Sequence, residues 1–336
     1  MKKLLLIALV LMLVLALAAC GNGAPAGGGG DVLVLRFSHE HAPTSLTGLQ
    51  YQAFADAVYE LSEGTMRVEI HPGGTIMPNA AALDGLMDGI VDIAHIMVSF
   101  VTGTIGDMAP LEVFGFYNNA DAEWQYFLGE IRPVLEQIYA PFGIKYLGAG
   151  FQGEMVFLCT TRQILTPADM QGLTFRSAGI WYGRFTEAFG AAPTVIPPAE
   201  LATAFERGTV QGTVVGWNMT VPLALFESAH YISETSYEAF FAHMAMSMDS
   251  WNRLTPEQQD IIARASRVYE EEAERIGREL IAQYRQTAID NGNSVVVLTP
   301  EQQQAFIDLV VPLYDQMDLT EHGQELVDIL TRIRGR

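Results

Sequence analysis

The chain opens with an unbroken apolar run, Leu4 to Leu17, and then passes through a stretch with almost nothing to bury. Only after Asp31 does a folding pattern set in. Val32 to Ser38 alternates weakly and is rich in Val and Leu, which predicts a first strand. From Thr47 to Ser62, Leu49, Phe54, Val58 and Leu61 recur at helical spacing, and Gly64 follows as a C-terminal stop. Met66–His71 predicts a second strand, Ala80–Asp88 a short helix ended by Gly89, and Val91–Met97 a third strand. The order β-α-β-α-β predicts a largely parallel sheet covered by helices.

The pattern then recurs. Ile144–Leu147, Val156–Cys159, Leu173–Arg176, Thr194–Ile196 and Val214–Val215 read as strands. Between them, Thr166-Pro167-Ala168-Asp169 starts a helical turn, and Gly179–Gly190 and Pro198–Gly208 read as helices. Beyond Thr255 the chain reads as mostly helical. Thr255-Pro256-Glu257-Gln258 is a capping box with Pro at the first helical position. Ile262, Ala265, Tyr269, Ala273, Ile276, Leu280, Tyr284 and Ala288 then step by three or four, giving one long amphipathic helix that ends near Gly292. Thr299-Pro300-Glu301-Gln302 repeats the start signal, and a last helix is expected around Gln324–Ile333. The run Glu270-Glu271-Glu272 is expected on the solvated face of the long helix. Two α/β units with no linker between them predict a bilobed α/β protein with a small-molecule cleft between the lobes.

The N-terminal end adds a compartment. Lys2 and Lys3, the apolar run and Leu17-Ala18-Ala19-Cys20 have the layout of an export signal. The run is shorter than the roughly 20 residues a spanning helix needs, although an uncleaved anchor is the alternative. The segment resembles the bacterial lipoprotein signal, which implies removal of residues 1–19 and lipidation of the Cys20 thiol. Gly21–Gly30, nearly all Gly, Ala, Pro and Asn, then reads as a flexible tether over 20–30. Cleavage leaves 17 basic against 39 acidic residues, a formal charge of −22. Nucleic acid repels such a chain, as does an anionic headgroup surface. Cys159 is the one thiol besides Cys20, so no internal disulfide is available, and its apolar surroundings predict a buried small hydrophobe.

Several segments in order carry a family resemblance. They are Phe54-Ala55-Asp56-Ala57-Val58 with Ser62-Glu63-Gly64; His71-Pro72-Gly73-Gly74 before Leu83–Gly89 and Val91-Asp92-Ile93; and Thr166-Pro167-Ala168-Asp169-Met170-Gln171-Gly172-Leu173-Thr174-Phe175-Arg176. Pro198-Ala199-Glu200 through Ala204, Gly208, Val210 and Gly212, and Trp251 with Leu254 and Thr255–Gln259, complete the set. From about Leu35 to Asp290 the chain is similar to the extracytoplasmic solute receptors of tripartite ATP-independent periplasmic (TRAP) transporters, of the dicarboxylate-receptor (DctP) type. The resemblance implies a two-lobed fold of the type II periplasmic-binding-protein kind, with a long helix spanning the lobes. Its first lobe would be 31–152 plus about 240–290. The second would be 153–239 plus about 291–336. It departs from the family's pattern at Ala202 (often Tyr), at Gln211 (Asp) and at Gln152, where many members carry a further Arg.

The resemblance also implies the site. In the family the arginine that closes the Gly-Leu-x-x-Arg strand binds a ligand carboxylate, and here that residue is Arg176. A guanidinium is planar, always charged and donates two parallel hydrogen bonds, which suits a carboxylate. Trp217 and Asn218 follow a strand and are expected near the cleft, as are His39 and Glu40 after the first strand. His39, Glu40 and His41 are read as a polar rim, not a metal site, because neighbours in extended chain point opposite ways. Gln152, Phe241 and His243 complete the expected ligand contacts. Phe240, Trp181 and Tyr182 are further wall candidates. No phosphate loop, Gly-x-Ser-x-Gly, His-Glu-x-x-His or Cys-x-x-Cys is present. The expectation is therefore a receptor and not an enzyme, with no cofactor and no metal. It would capture a small organic acid outside the cell, held to the membrane by its lipid anchor, and pass it to TRAP membrane permease subunits. Arg176 suggests a carboxylate, and Gln152 with the many aromatics suggests one acid group on an apolar or hydroxylated tail. Another transporter or a sensor system, and an exported enzyme, are the alternatives.

Overall fold

The computed structural model describes residues 32–113, 124–238 and 242–334. The elements lie in the second of two units, Met1–Val32 and Leu33–Arg336. Among the described residues there are two sheets. The first contains β1 (Leu33–Ser38), β2 (Met66–His71), β3 (Ile93–Met97), β4 (Ile144–Ala149) and β10 (Ala242–Ser247). Its order is β2-β1-β3-β10-β4. The expected parallel pairs β1–β2 and β1–β3 are present, and β10 runs antiparallel between β3 and β4. The second contains β5 (Glu154–Cys159), β6 (Thr174–Ser177), β7 (Ala192–Val195), β8 (Gly212–Gly216), β9 (Tyr231–Glu238) and β11 (Ser294–Val297), in the order β11-β9-β5-β8-β6-β7. Strand β5 is antiparallel to both its neighbours, and the β8-β6-β7 side is parallel. The fold is thus a two-lobed mixed α/β structure. The sequence pattern missed three strands, β9, β10 and β11.

The helices, in chain order, are α1 (Leu46–Leu61), α2 (Ala82–Met87), α3 (Val98–Val101), α4 (Ala109–Glu112), α5 (Trp124–Tyr139), α6 (Ile180–Ala188), α7 (Leu201–Glu206), α8 (Trp217–Thr220), α9 (Met248–Arg253), α10 (Pro256–Asp290), α11 (Pro300–Val310) and α12 (Glu321–Arg334). None among the described residues is long and apolar enough to cross a membrane. Both Thr-Pro-Glu-Gln signals form their capping boxes. Thr255 and Thr299 accept from the backbone N–H of Gln258 and Gln302, whose side chains accept in return.

Helix α10 is the brace. Its 35 residues make it about 50 Å long, enough to pack on α1 and β4 at one sheet and on α8 and β11 at the other. The segment that leaves β4 for β5 is pressed against it. Gly153 has φ +75°, and a Cβ there would lie 2.0 Å from Ile281 Cδ1. On the helix itself, a Cβ on Gly277 would lie 2.2 Å from Phe151 Cδ1. The Gln50 amide of α1 donates to Phe151 O at 2.7 Å and to Ala273 O at 3.1 Å, joining α1, the crossover and α10.

One sequence expectation fails here. Glu270 is not on a solvated face: it is 4 % exposed, and its two carboxylate oxygens each accept from Arg132 Nη2 at 2.6 Å. The carboxylate also accepts from the Ala149 N–H at 3.3 Å. Glu271 is exposed and Glu272 half-buried beside it. A run of three acids spans most of a helical turn, so one member had to face inward. Removing Arg132 strands a buried carboxylate. Arg132→Met is expected to lower unfolding stability by about 3 kcal/mol, and Arg132→Met with Glu270→Leu to recover most of it. Urea unfolding of the three proteins checks this.

Candidate functional site

The site begins with a turn. Thr166 and Leu165 donate their N–H groups to Asp169 Oδ2 at 2.8 and 3.0 Å, fixing the Thr-Pro-Ala-Asp turn. Gly172, at φ +75°, then reverses the chain into β6. That strand is paired on both sides, Arg176 opposite Thr194 of β7 and Thr213 of β8. Arg176 therefore leaves the strand near its C-terminal end, where open α/β sheets place their ligands.

Its side chain is 5 % exposed. Nε donates to Ile196 O at 2.9 Å, and no carboxylate among the described residues pairs with the guanidinium. Burial alone lowers its pKa from the ordinary value. The guanidinium lines a cavity of about 240 Å³ whose wall draws on both sheets. The first sheet's side contributes Met97, Ser99 and Phe100, the second's Tyr182, Val214 and Met219.

Two further polar groups complete the lining. Asn218 Nδ2 donates to Gln152 Oε1 at 2.5 Å. That contact leaves Gln152 Nε2 buried with no hydrogen-bond partner. An unpaired cation in a largely apolar hollow suits an anionic oxygen group.

The family model for bacterial extracellular solute-binding proteins, family 7 (DctP), matches residues 37–320. The chain belongs to this family. It is 25% identical over 279 residues to the 2,3-diketo-L-gulonate-binding periplasmic protein YiaO of Escherichia coli K12, covering 82% of this chain and 83% of that one. It is 23% identical over 299 residues to the C4-dicarboxylate-binding periplasmic protein DctP of Vibrio cholerae, covering 88% and 89%. Its fold is similar to a TRAP periplasmic solute binding protein from Ochrobactrum anthropi, at TM-score 0.83 and 22% identity, covering 90% of this chain and 96% of the other.

In this family 7 protein the structure brings Arg176, Gln152 and Asn218 together and leaves other expected residues elsewhere. Trp217 is fully buried in the second sheet's core, and its Nε1 donates to Glu234 Oε1 at 3.2 Å. One helical step separates it from Asn218, so the two point different ways. His243 is fully buried in the first sheet and shares a hydrogen bond with the Tyr139 hydroxyl at 2.9 Å. Its strand neighbour Ala242 lines the cavity instead, as alternation requires. His39 Nδ1 accepts from the His41 N–H at 3.1 Å, and Glu40 Oε1 accepts from the Asn79 N–H at 2.8 Å, so this segment fastens its own loop. Burial holds His39 and His41 neutral, each pushed down to about 4. Among the described residues no group of three or more His, Cys, Asp or Glu is placed to hold a metal ion. Phe240, Phe241 and Cys20 lie outside the described residues. Tyr182 lines the cavity, its hydroxyl donating to Val214 O. Trp181 instead lies beneath Arg184, whose guanidinium sits 4.4 Å from the ring centre.

Met97, Ser99 and Phe100 were missed. Met97 ends β3 and Ser99 and Phe100 follow it in α3, and the same strand-end rule that singled out His39 points to them. Glu112 was missed without any signal. This carboxylate, 1 % exposed, accepts from the Tyr182 N–H at 3.2 Å and from the Thr102 hydroxyl at 3.2 Å. It thereby caps the start of α6 from a helix 70 residues upstream. Gly179 permits the approach, since a Cβ there would lie 2.4 Å from Glu112 Oε1.

Burial pushes Glu112 up from 4.5 to about 7, with the Tyr182 N–H and Thr102 hydroxyl pulling back. Between those values the folded chain holds a proton that the unfolded chain has released. The contribution is therefore full below pH 4.5 and is lost as pH rises to 7, about 3 kcal/mol in all. Glu112→Gln should remove it. The stability difference between variant and parent is expected to shift by that amount across pH 4.5–7, as read by denaturant unfolding at each pH.

Proposed function

We propose that this chain is an extracytoplasmic receptor of a TRAP transporter that captures a small organic carboxylate between its lobes and delivers it to membrane permease subunits. The observation that carries this reading is the Arg176 guanidinium, buried without a carboxylate partner among the described residues in a cavity walled from both sheets. Its charge does not titrate away, so the missing counter-ion is supplied by a ligand. The relatives named for 2,3-diketo-L-gulonate and C4-dicarboxylates point to acids as well. No reacting group is needed: the protein's part is to bind, exclude water and present a closed surface.

The closing lobes are 31–152 with about 240–290, and 153–239 with about 291–336. Sheet membership supports this division: β1–β4 and β10 form one sheet, and β5–β9 with β11 the other. Lobe closure would bury the ion pair further and strengthen it. The export signal and the Leu-Ala-Ala-Cys segment support an anchor at Cys20, with 21–30 as its leash and the receptor outside the cytoplasm.

Arg176→Met tests the clamp. Loss of one partner of a buried charge pair should weaken binding of an organic acid at least 30-fold, about 2 kcal/mol or more. The ligand-free protein should keep its thermal midpoint within a few degrees, because the variant also removes a buried unpaired charge. Calorimetric titration and thermal unfolding read the two effects. A large fall in ligand-free stability would mark the arginine as structural instead. Cys20→Ser tests the anchor, and should move the protein from the membrane fraction to the soluble one.

A further inference from the structure

The position of the unpaired polar groups says something about the ligand beyond its acid head. Among the described residues Arg176 is the one cation lining the cavity, and Gln152, Asn218, Ser99 and Tyr182 are the other polar side chains there. Two of these are spent on each other, since Asn218 holds the Gln152 oxygen. Gln152 Nε2 is out of solvent reach, which leaves the Arg176 guanidinium as the donor for the head. The rest of the wall is thioether, aliphatic and aromatic: Met97, Phe100, Met155, Ile196, Val214 and Met219.

We infer that the ligand is an amphipathic monocarboxylate, its acid group held by Arg176 and the remainder an apolar tail against the methionine and valine wall. This rests on Arg176 being the carboxylate clamp. A second carboxylate would have to shed its water against Met155 and Val214 with no cation to meet it. A polyhydroxylated acid would leave several hydroxyls without partners, which is how a site rejects a polar analogue. Three methionines, Met97, Met155 and Met219, give that wall an adaptable surface, so tails of different branching should be accepted.

Titration calorimetry of the purified full-length protein tests this with 4-methylpentanoate, phenylacetate, succinate and D-glucuronate, and with 4-methylpentanamide as the uncharged control. The two apolar monocarboxylates are expected to bind at least tenfold more tightly than succinate or glucuronate. The amide should bind at least 30-fold more weakly than its acid. Succinate or glucuronate binding as tightly as the apolar acids, and losing that affinity in Arg176→Met, would overturn the apolar tail while leaving the carboxylate clamp in place. Binding by none of the acids, or equal binding of acid and amide, would overturn the clamp itself. A second variant probes the wall directly. Phe100 is 45 % exposed, so Phe100→Arg adds a cation at the cavity without opening the core. It should raise the affinity for succinate relative to 4-methylpentanoate at least tenfold. An unchanged ratio would remove Phe100 from the tail wall and overturn the assignment.

Discussion

A guanidinium cannot shed its charge when it is buried, so a fold that buries one without a partner must hold it by force. Arg176 is held in this way. Its strand is the middle member of a parallel triplet, β8-β6-β7, and its Nε is tied to the Ile196 carbonyl. The start of that strand is set by the Asp169 turn. These restraints keep the charge pointed into a hollow instead of letting it swing to water. The apolar wall that makes the burial costly also lowers the local dielectric, and so strengthens whatever anion arrives.

The brace that lets the second sheet present this charge is helix α10. It touches the first sheet through α1 and β4, and the second through α8 and β11. Its two most informative contacts are an ion pair and a missing side chain. Glu270 locks α10 to Arg132 of α5 and to the Ala149 N–H of β4, while Gly277 lets Phe151 of the crossover lie on the helix surface. The residue after Phe151 is Gln152, so the packing that seats the crossover also places Gln152 at the cavity wall.

What could be read from the sequence follows from the range of the forces involved. The capping boxes at Thr255 and Thr299 are local hydrogen-bond patterns, and both helices begin where those patterns say. Strand β10, Ala-His-Met-Ala-Met-Ser, carries no β-branched residue and no alternation. It is a strand because β3 and β4, far back in the chain, pair with both its edges. Nothing within a window of ten residues contains that information. The site divides on the same line. Arg176, Gln152 and Asn218 lie at strand ends and in motifs, where sequence reasoning can name them, and all three line one cavity. Trp217 and His243 occupy similar positions, yet each points away from the cavity, because one residue of phase decides between ligand and core. Glu112 meets its partner Tyr182 only through the fold.

The groups that make the ligand-free protein less stable are the ones a ligand satisfies. Arg176 lacks a counter-ion among the described residues, and the methionine wall beside it faces an open hollow. Such a site gains little from a purely apolar solute, because that solute would fill the hollow and leave the Arg176 guanidinium unanswered. It gains little more from a small polar anion, which answers the guanidinium but leaves the methionine wall facing water. Only a solute that meets both demands recovers the stability the cavity gives up. In the proposed receptor, selectivity would arise from one unpaired guanidinium and one apolar surface, and affinity and stability of the bound state must rise together.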